Sequence, residues 1–145
     1  MQPLSVSSPR FLQLNRTWNA EPNAPAERVT VSGATVELDF EFNAFAFDAL
    51  EGERGSLVFN DCARWRLGPT NDEGWYRGKC RYSDLAPRWG EFFEIVGDDP
   101  DRDLPSDWAV LSPTTQVHRH FLFYLRDDTF ECLALDWRLD RPSKD

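Results

Sequence analysis

The most informative segment of the chain reads HRHFLFYLRDDTFECLALDWRL and spans residues 118–139. Aromatic and branched apolar residues flank the Asp127-Asp128 pair, which is the pattern of two β-strands joined by a tight turn. A two-residue turn at this pair would place Arg126 opposite Thr129 and would fix the register of every other cross-strand pair. We therefore predict a hairpin in which 118–126 pairs with 129–138.

Both faces of this hairpin carry apolar side chains. In the predicted register, one face holds His118, His120, Leu122 and Tyr124 opposite Trp137, Leu135, Leu133 and Glu131. The other face holds Arg119, Phe121, Phe123 and Leu125 opposite Asp136, Ala134, Cys132 and Phe130, with Arg119 and Asp136 as a cross-strand ion pair. A hairpin that is apolar on both faces is expected at the centre of a fold, covered on two sides.

The rest of the chain also has the pattern of strands separated by turns. The clearest strand is 36–42, where the apolar residues Val36, Leu38, Phe40 and Phe42 alternate with acidic ones and should face the core. Further strands are predicted around Val29 and Val31, over 56–67 with a bend near Asn60-Asp61, over 75–82 and over 89–96, and 44–50 reads as an apolar continuation of 36–42.

Strands at this spacing, without a convincing amphipathic helix, predict an all-β protein. We expect one antiparallel sheet system that closes into a barrel or sandwich, with an α+β fold as the alternative. Residues 28–140 would form the single domain. Residues 1–27 hold four prolines and no periodicity, so they are predicted to be a partly flexible arm, and 141–145 read as a tail.

Charge and cysteine usage restrict the compartment and the class of partner. Sixteen basic against twenty-five acidic residues give a formal charge of −9, which disfavours nucleic acid and anionic membranes and favours solubility or a basic partner. Three cysteines without a C-x-x-C spacing indicate a reducing compartment. Because the start also lacks the pattern of a secretory signal, we expect a cytoplasmic protein.

Candidate chemistry centres on the hairpin. His118 and His120 share one side of a strand, a spacing that can bind a metal, but Glu131 lies two pairs away from His120 in the predicted register. We therefore predict no metal and no cofactor. Glu131 is predicted to face Tyr124 within an apolar patch, where a raised pKa would suit a general acid, although a structural hydrogen bond between the two is favoured. We assign no catalytic residue.

The chain also contains one locally basic region. Between Cys62 and Tyr82 lie Arg64, Arg66, Arg77, Lys79 and Arg81, interleaved with aromatic residues. A hairpin of 62–67 and 75–82 would make a basic ribbon able to stack nucleic-acid bases. The preferred alternative is an ion-pair ladder with the acidic face of Glu37, Asp39 and Glu41, because the field of the whole protein opposes nucleic acid.

Two stretches carry a resemblance. The segments WGEFFEIVG (89–97) and HFLFYLRDDTFECLA (120–134) resemble short uncharacterised bacterial proteins with a W-G-E-F-x-E strand followed by an R-D-x-T-F-E-C-x-A hairpin. The resemblance covers about a third of the chain. It implies an association with immunity or accessory proteins of bacterial conflict systems and offers no functional residues to transfer.

We therefore expect a non-catalytic protein-binding domain with another protein, in particular a basic one, as its partner. The candidate contacts are the acidic loop, with Asp99, Asp101 and Asp103, and the acidic strand face. The alternative is a pocket protein or enzyme that holds a small molecule near Tyr124, Glu131, His118 and His120. A deep cavity around these four residues would favour the alternative, whereas a filled interior would favour the binding domain.

Overall fold

The computed structural model describes residues 8–69, 72–78, 80–115 and 117–142. Within these ranges it contains ten β-strands and one short helix. In chain order they are β1 (Arg10–Gln13), β2 (Arg28–Ser32), β3 (Thr35–Glu41), β4 (Arg54–Asn60), β5 (Arg64–Pro69), α1 (Asp72–Tyr76), β6 (Phe92–Val96), β7 (Ala109–Val110), β8 (Arg119–Tyr124), β9 (Asp128–Ala134) and β10 (Asp136–Asp140).

The strands form two antiparallel sheets. The larger sheet has six strands in the order β1-β6-β8-β9-β5-β7, and the smaller has four in the order β10-β4-β3-β2. All pairings between the described strands are antiparallel. The prediction of a mainly β protein with antiparallel pairing is therefore confirmed. Within the described ranges, these pairings give two separate sheets and no closed barrel.

The chain passes from one sheet to the other at Asp61 and at Leu135. Asp61 has a φ of 51°, a left-handed conformation that Asp adopts more readily than most residues, and it separates β4 from β5. Leu135 separates β9 from β10, and its N–H donates to the carbonyl of Asn60 (3.1 Å). The predicted strands 56–67 and 129–138 are thus each two strands in different sheets, and only the bend near Asn60-Asp61 was foreseen.

Aromatic rings from both sheets fill the space between them. The ring of Phe40 on β3 lies 5.6 Å from that of Phe123 on β8, and Phe59 on β4 lies 5.4 Å from both Phe121 and Phe130. Burial is confirmed for the inward positions predicted from the sequence, which are Val36, Leu38, Phe40, Phe42, Phe121, Phe123, Phe130 and Cys132. The sheets therefore share one apolar core.

The hairpin of β8 and β9 has the predicted faces in a different register. Tyr124, not Arg126, lies opposite Thr129. The N–H of Leu125 donates to the carbonyl of Asp128 (2.9 Å), so the two residues of the turn are Arg126 and Asp127 rather than Asp127 and Asp128. A shift of two residues returns every side chain to its own face, so the face assignments hold although every predicted pair changes.

Arg119 illustrates the changed register. It lies opposite Ala134 rather than Asp136. Its guanidinium forms two hydrogen bonds of 2.9 Å to Glu94 on β6 and comes only within 3.6 Å of the Asp136 carboxylate. The predicted ion pair with Asp136 therefore forms, but the two residues are not a cross-strand pair, and Glu94 is the main partner.

The outer face of the larger sheet is covered by irregular chain. The predicted strand over 75–82 is wrong: α1 ends at Tyr76, and turns follow, with Tyr82 at a φ of 62°. The basic ribbon that required this strand is therefore also wrong, and its Lys79 lies outside the described residues. A second apolar cluster forms beneath this cover and comprises Tyr82, Ala86, Phe93, Ile95, Leu122 and Tyr124.

The described part of the predicted arm is attached to both sheets. β1 pairs with β6 at the edge of the larger sheet, and Trp18 is buried in the core, where its ring stacks on Phe40 at 5.6 Å. Residues 1–7 of the arm and 143–145 of the tail lie outside the described residues. No helix within the described ranges combines the length and the apolar character needed to cross a bilayer.

Candidate functional site

Glu131 is the centre of a buried charged network on the outer face of the larger sheet. Its side chain is fully buried, and one carboxylate oxygen lies 2.5 Å from Nε2 of His120. The Arg81 guanidinium donates to both carboxylate oxygens (2.7 and 2.8 Å), and Nη1 of Arg66 donates at 3.4 Å. Because Leu122 lies opposite Glu131, His120 is a diagonal neighbour, and the prediction that the two are too far apart is wrong.

The network also holds the 97–107 loop against the sheet. Arg81 donates to the backbone carbonyls of Asp101 (2.7 Å) and Arg102 (2.9 Å). Asp99 accepts a hydrogen bond of 2.5 Å from the hydroxyl of Tyr82. We call Glu131, His120, Arg81, Arg66, Tyr82 and Asp99 the Glu131 network. Its hydrogen bonds join β8 and β9 to the segment that carries Arg81 and Tyr82, and to the 97–107 loop. In its described residues, neither segment pairs with these strands.

The surroundings of the Glu131 network favour the ionised form of the Glu131 carboxylate and the neutral form of the Tyr82 hydroxyl. Burial alone would raise the pKa of Glu131, but hydrogen bonds from His120 and Arg81 outweigh it and lower that pKa. Burial raises the pKa of Tyr82 well above its usual value, and the charge of Glu131 adds to the effect, so Tyr82 is a neutral donor. The predicted rise in the pKa of Glu131, on which a general-acid role would depend, is therefore wrong.

Tyr124 does not face Glu131 as predicted. Its hydroxyl donates to the backbone carbonyl of Arg81 (2.7 Å), and its ring packs on Trp89 at 4.9 Å. Burial raises its pKa, with the charge of Glu131 as the second cause. Tyr124 therefore acts in packing and in holding the covering segment.

The two histidines of the H-x-H motif differ in surroundings. His120 is buried in the Glu131 network, whereas His118 is half-buried at the start of β8, beside a surface cleft of about 460 Å³. Both signs of charge line this cleft, through Glu94, Asp98, Asp99, Arg102, Asp103 and Arg119. Across the described ranges, no three His, Cys, Asp or Glu side chains converge in a metal-binding group. The absence of a metal site stays a prediction.

The carboxylates of the acidic loop are largely engaged within the protein. Asp103 pairs with Arg64, and Asp107 accepts two hydrogen bonds from Arg66 (2.8 and 3.1 Å). The side chain of Asp99 is only 4% exposed. Asp101 is half-buried, and its N–H donates to Asp99 (3.0 Å). The loop predicted to be an open acidic contact is thus held by internal ion pairs with β5.

The acidic face of β3 has basic neighbours in its own sheet. Arg28 on β2 lies opposite Asp39, and Arg54 on β4 lies opposite Glu41. The arginines at 64, 66 and 81 meet the 97–107 loop and Glu131 instead. The predicted ion-pair ladder between the basic region and Glu37, Asp39 and Glu41 is therefore wrong in its partners.

An exposed surface that the sequence analysis missed lies beside the loop 43–53. Phe45 on this loop is fully exposed (101%), and Leu50 is 64% exposed. The loop is nonetheless fixed, because Oδ1 of Asn43 accepts hydrogen bonds from the N–H groups of Phe45 (3.0 Å) and Ala46 (3.1 Å). The predicted apolar continuation over 44–50 is thus a turn, and Asn43 after Phe42 was the signal for it.

A cleft of about 500 Å³ opens beside Phe45. Three carboxylates line it together with apolar and small residues, and the lining comprises Glu21, Glu41, Glu51, Phe42, Asn43, Ala44, Phe45, Ala49, Leu50 and Gly52. We call this surface the Phe45 cleft. Its combination of an exposed aromatic ring with acidic side chains suits a partner that presents apolar and cationic groups together.

Comparisons with known proteins give no further assignment. The chain matches no protein-family model, no curated protein and no solved structure. The function is therefore inferred from the geometry of the Phe45 cleft and of the Glu131 network.

Proposed function

We propose that the protein is a non-catalytic binding domain that recognises a basic partner protein through the Phe45 cleft. The two sheets would serve as a β-sandwich scaffold, and the three free cysteines accord with a cytoplasmic location. The observation that carries this proposal is the complete exposure of Phe45 on a loop whose backbone is fixed.

Because its side chain is fully exposed, Phe45 adds nothing to the core that the described residues form. Its ring is exposed to solvent above a cleft lined by Glu21, Glu41 and Glu51. Burial of a phenylalanine side chain stabilises a complex by about 1.5–3 kcal/mol relative to exposure. Aromatic side chains at the centre of an interface, surrounded by polar groups, are typical binding hot spots. The three carboxylates would select a basic partner and accelerate its association.

The pocket alternative has less support. The interior between the sheets is filled by aromatic rings, and Glu131, His120 and Tyr124 form hydrogen bonds within the protein. Side chains that already hold the fold together cannot reorganise around a ligand without destabilising it. The resemblance to immunity and accessory proteins favours a protein partner as well.

The experiment compares two exposed apolar side chains. Phe45→Ala removes the proposed hot spot, and Leu104→Ala is the matched control because Leu104 is also exposed (70%) and lies outside the Phe45 cleft. Proteins captured by the wild type from the source organism are purified, and their affinity for each variant is measured by biolayer interferometry at rising salt.

We expect Phe45→Ala to weaken binding of a basic partner by about 2 kcal/mol, or about 30-fold, with Leu104→Ala unchanged. The association rate should fall as salt rises, because screening weakens the attraction between exposed charges. Equal binding by the wild type and Phe45→Ala would contradict the proposal.

A further inference from the structure

We infer that the partner is held as an extended basic segment along a groove that runs from the Phe45 cleft into a second cleft at Trp89. This inference rests on the proposed function and specifies the form of the partner. The second cleft has a volume of about 240 Å³. We call it the Trp89 cleft, and its lining includes Glu21, Asn43, Trp89, Glu91 and Arg126.

The two clefts adjoin because Glu21 and Asn43 line both. The boundary between them is fixed by backbone hydrogen bonds, from the Glu21 N–H to the Glu41 carbonyl (2.8 Å) and from the Asn43 N–H to the Asn19 carbonyl (2.9 Å). Two adjoining clefts with a rigid boundary suit an extended chain, which can place successive side chains in neighbouring depressions.

The Trp89 cleft has the chemistry of a cation site. Glu91 is positioned from behind, because its Oε2 accepts hydrogen bonds from Asn15 (2.7 Å) and Gln13 (2.9 Å). Among the described residues, no hydrogen-bond donor reaches its Oε1. The half-buried indole of Trp89, which packs on the rings of Tyr124 (4.9 Å) and Trp75 (6.3 Å), lines the same cleft. A positioned carboxylate beside an aromatic ring suits the ammonium of Lys or the guanidinium of Arg.

The charges along the groove agree with this occupant. Glu21, Glu41 and Glu51 line the first cleft, and Glu91 lines the second. Burial raises the pKa of Glu91, and the hydrogen bond from Asn15 partly opposes that rise. A bound cation would oppose the rise further. Two arginines are exceptions. The charge of Arg88 already opposes the rise in the pKa of Glu91. Arg126 lines the Trp89 cleft, is exposed, and donates to the Asn23 carbonyl (2.5 Å). This arginine offers a variant in which binding should become stronger.

The test uses a phage-displayed library of random dodecapeptides, selected on the full chain. Synthetic peptides of the selected sequences, and the same peptides shortened to half their length, are then titrated by fluorescence polarisation. The protein variants are Glu91→Gln and Arg126→Glu in the Trp89 cleft, Phe45→Ala in the Phe45 cleft, and Leu104→Ala as the control outside both clefts.

We expect the selected peptides to carry Lys or Arg together with apolar residues. Glu91→Gln should weaken the full-length peptide about tenfold, the usual effect of losing a charge-assisted hydrogen bond. The same variant should not change the affinity of the half-length peptide whose binding depends on Phe45. Arg126→Glu should strengthen the full-length peptide, and this second variant keeps the test decisive if thermal melting shows that Glu91→Gln is poorly folded.

Two results would overturn the inference in distinguishable ways. In the first, the affinity of the peptides depends on Phe45 but does not change on shortening, with Glu91→Gln or with Arg126→Glu. This result would reject the groove and leave the Phe45 cleft as a binding site. A library that yields no basic peptide would also reject an extended segment, and the affinity of a whole partner for Phe45→Ala would then decide the proposed function separately.

Discussion

Replacement of Glu131 by Gln tests the role assigned to the Glu131 network. The wild-type side chain is fully buried, and the Arg81 side chain that donates to both of its oxygens is 11% exposed. Glu131→Gln keeps the shape and one oxygen acceptor but removes the negative charge. Arg81 then stays buried without its counter-ion, and His120 loses a charged acceptor. Removal of one partner from a buried ion pair costs about 3–5 kcal/mol.

The lower end of this range applies to Glu131→Gln, since the remaining amide oxygen still accepts one hydrogen bond. We therefore expect the free energy of unfolding to fall by about 3 kcal/mol at neutral pH. Urea denaturation followed by tryptophan fluorescence measures it, with the slope against urea checked for a two-state transition. Leu104→Ala serves as the control, because an exposed side chain should change stability by less than about 0.5 kcal/mol.

The pH dependence gives this prediction a second check. The pKa of Glu131 is lowered in the folded state, so its contribution is present above its unfolded pKa and is lost as pH falls through the folded value. The stability difference between wild type and Glu131→Gln should therefore narrow in acid. A loss of less than about 1 kcal/mol at neutral pH, or a difference that widens in acid, would refute the structural role of the network.

The remaining predictions concern other parts of the molecule. Phe123→Ala should lower the free energy of unfolding by about 3–5 kcal/mol in urea denaturation, because it empties a buried aromatic site. Burial and a hydrogen bond shared with Asp128 raise the pKa of Glu27 to about 7, so its contribution is present in acid and is lost as pH rises through that value. Glu27→Gln should accordingly flatten the fall in melting temperature between about pH 5 and 8. Asp99→Ala should cost about 1–3 kcal/mol, whereas Asp103→Ala, at an exposed ion pair, should cost less than about 1 kcal/mol in the same assay.

The sequence was sufficient for the class of fold and for the faces of its clearest strands. Alternation in 36–42 and in the hairpin identifies Phe40, Phe121 and Phe123 as core residues, because side chains on a strand alternate strictly between two faces. The same alternation does not determine the register of the hairpin. A two-residue turn at Asp127-Asp128 and one at Arg126-Asp127 give the same faces, and only the pairing partners differ.

The candidate site depended on contacts that a local pattern cannot show. The 75–82 segment has the aromatic content of a strand, but the ion pair between Arg81 and Glu131 joins residues 50 positions apart and holds the segment across the sheet. Phe45 is out of phase with the apolar alternation of the strand before it, and it lies exposed on the turn that Asn43 caps. The sequence prediction therefore failed where tertiary contacts and the cap formed by Asn43 determine the local structure.

The central claim is that a basic partner docks on the Phe45 cleft, and site-specific photocrosslinking in the source organism tests it most directly. Phe45→p-benzoylphenylalanine places a crosslinking aromatic group at the proposed contact, and the same replacement of Leu104 is the control at another exposed site. We expect irradiation to yield a covalent adduct with a basic protein at position 45 and none at position 104. No adduct at 45, or the same adducts at both positions, would contradict the claim.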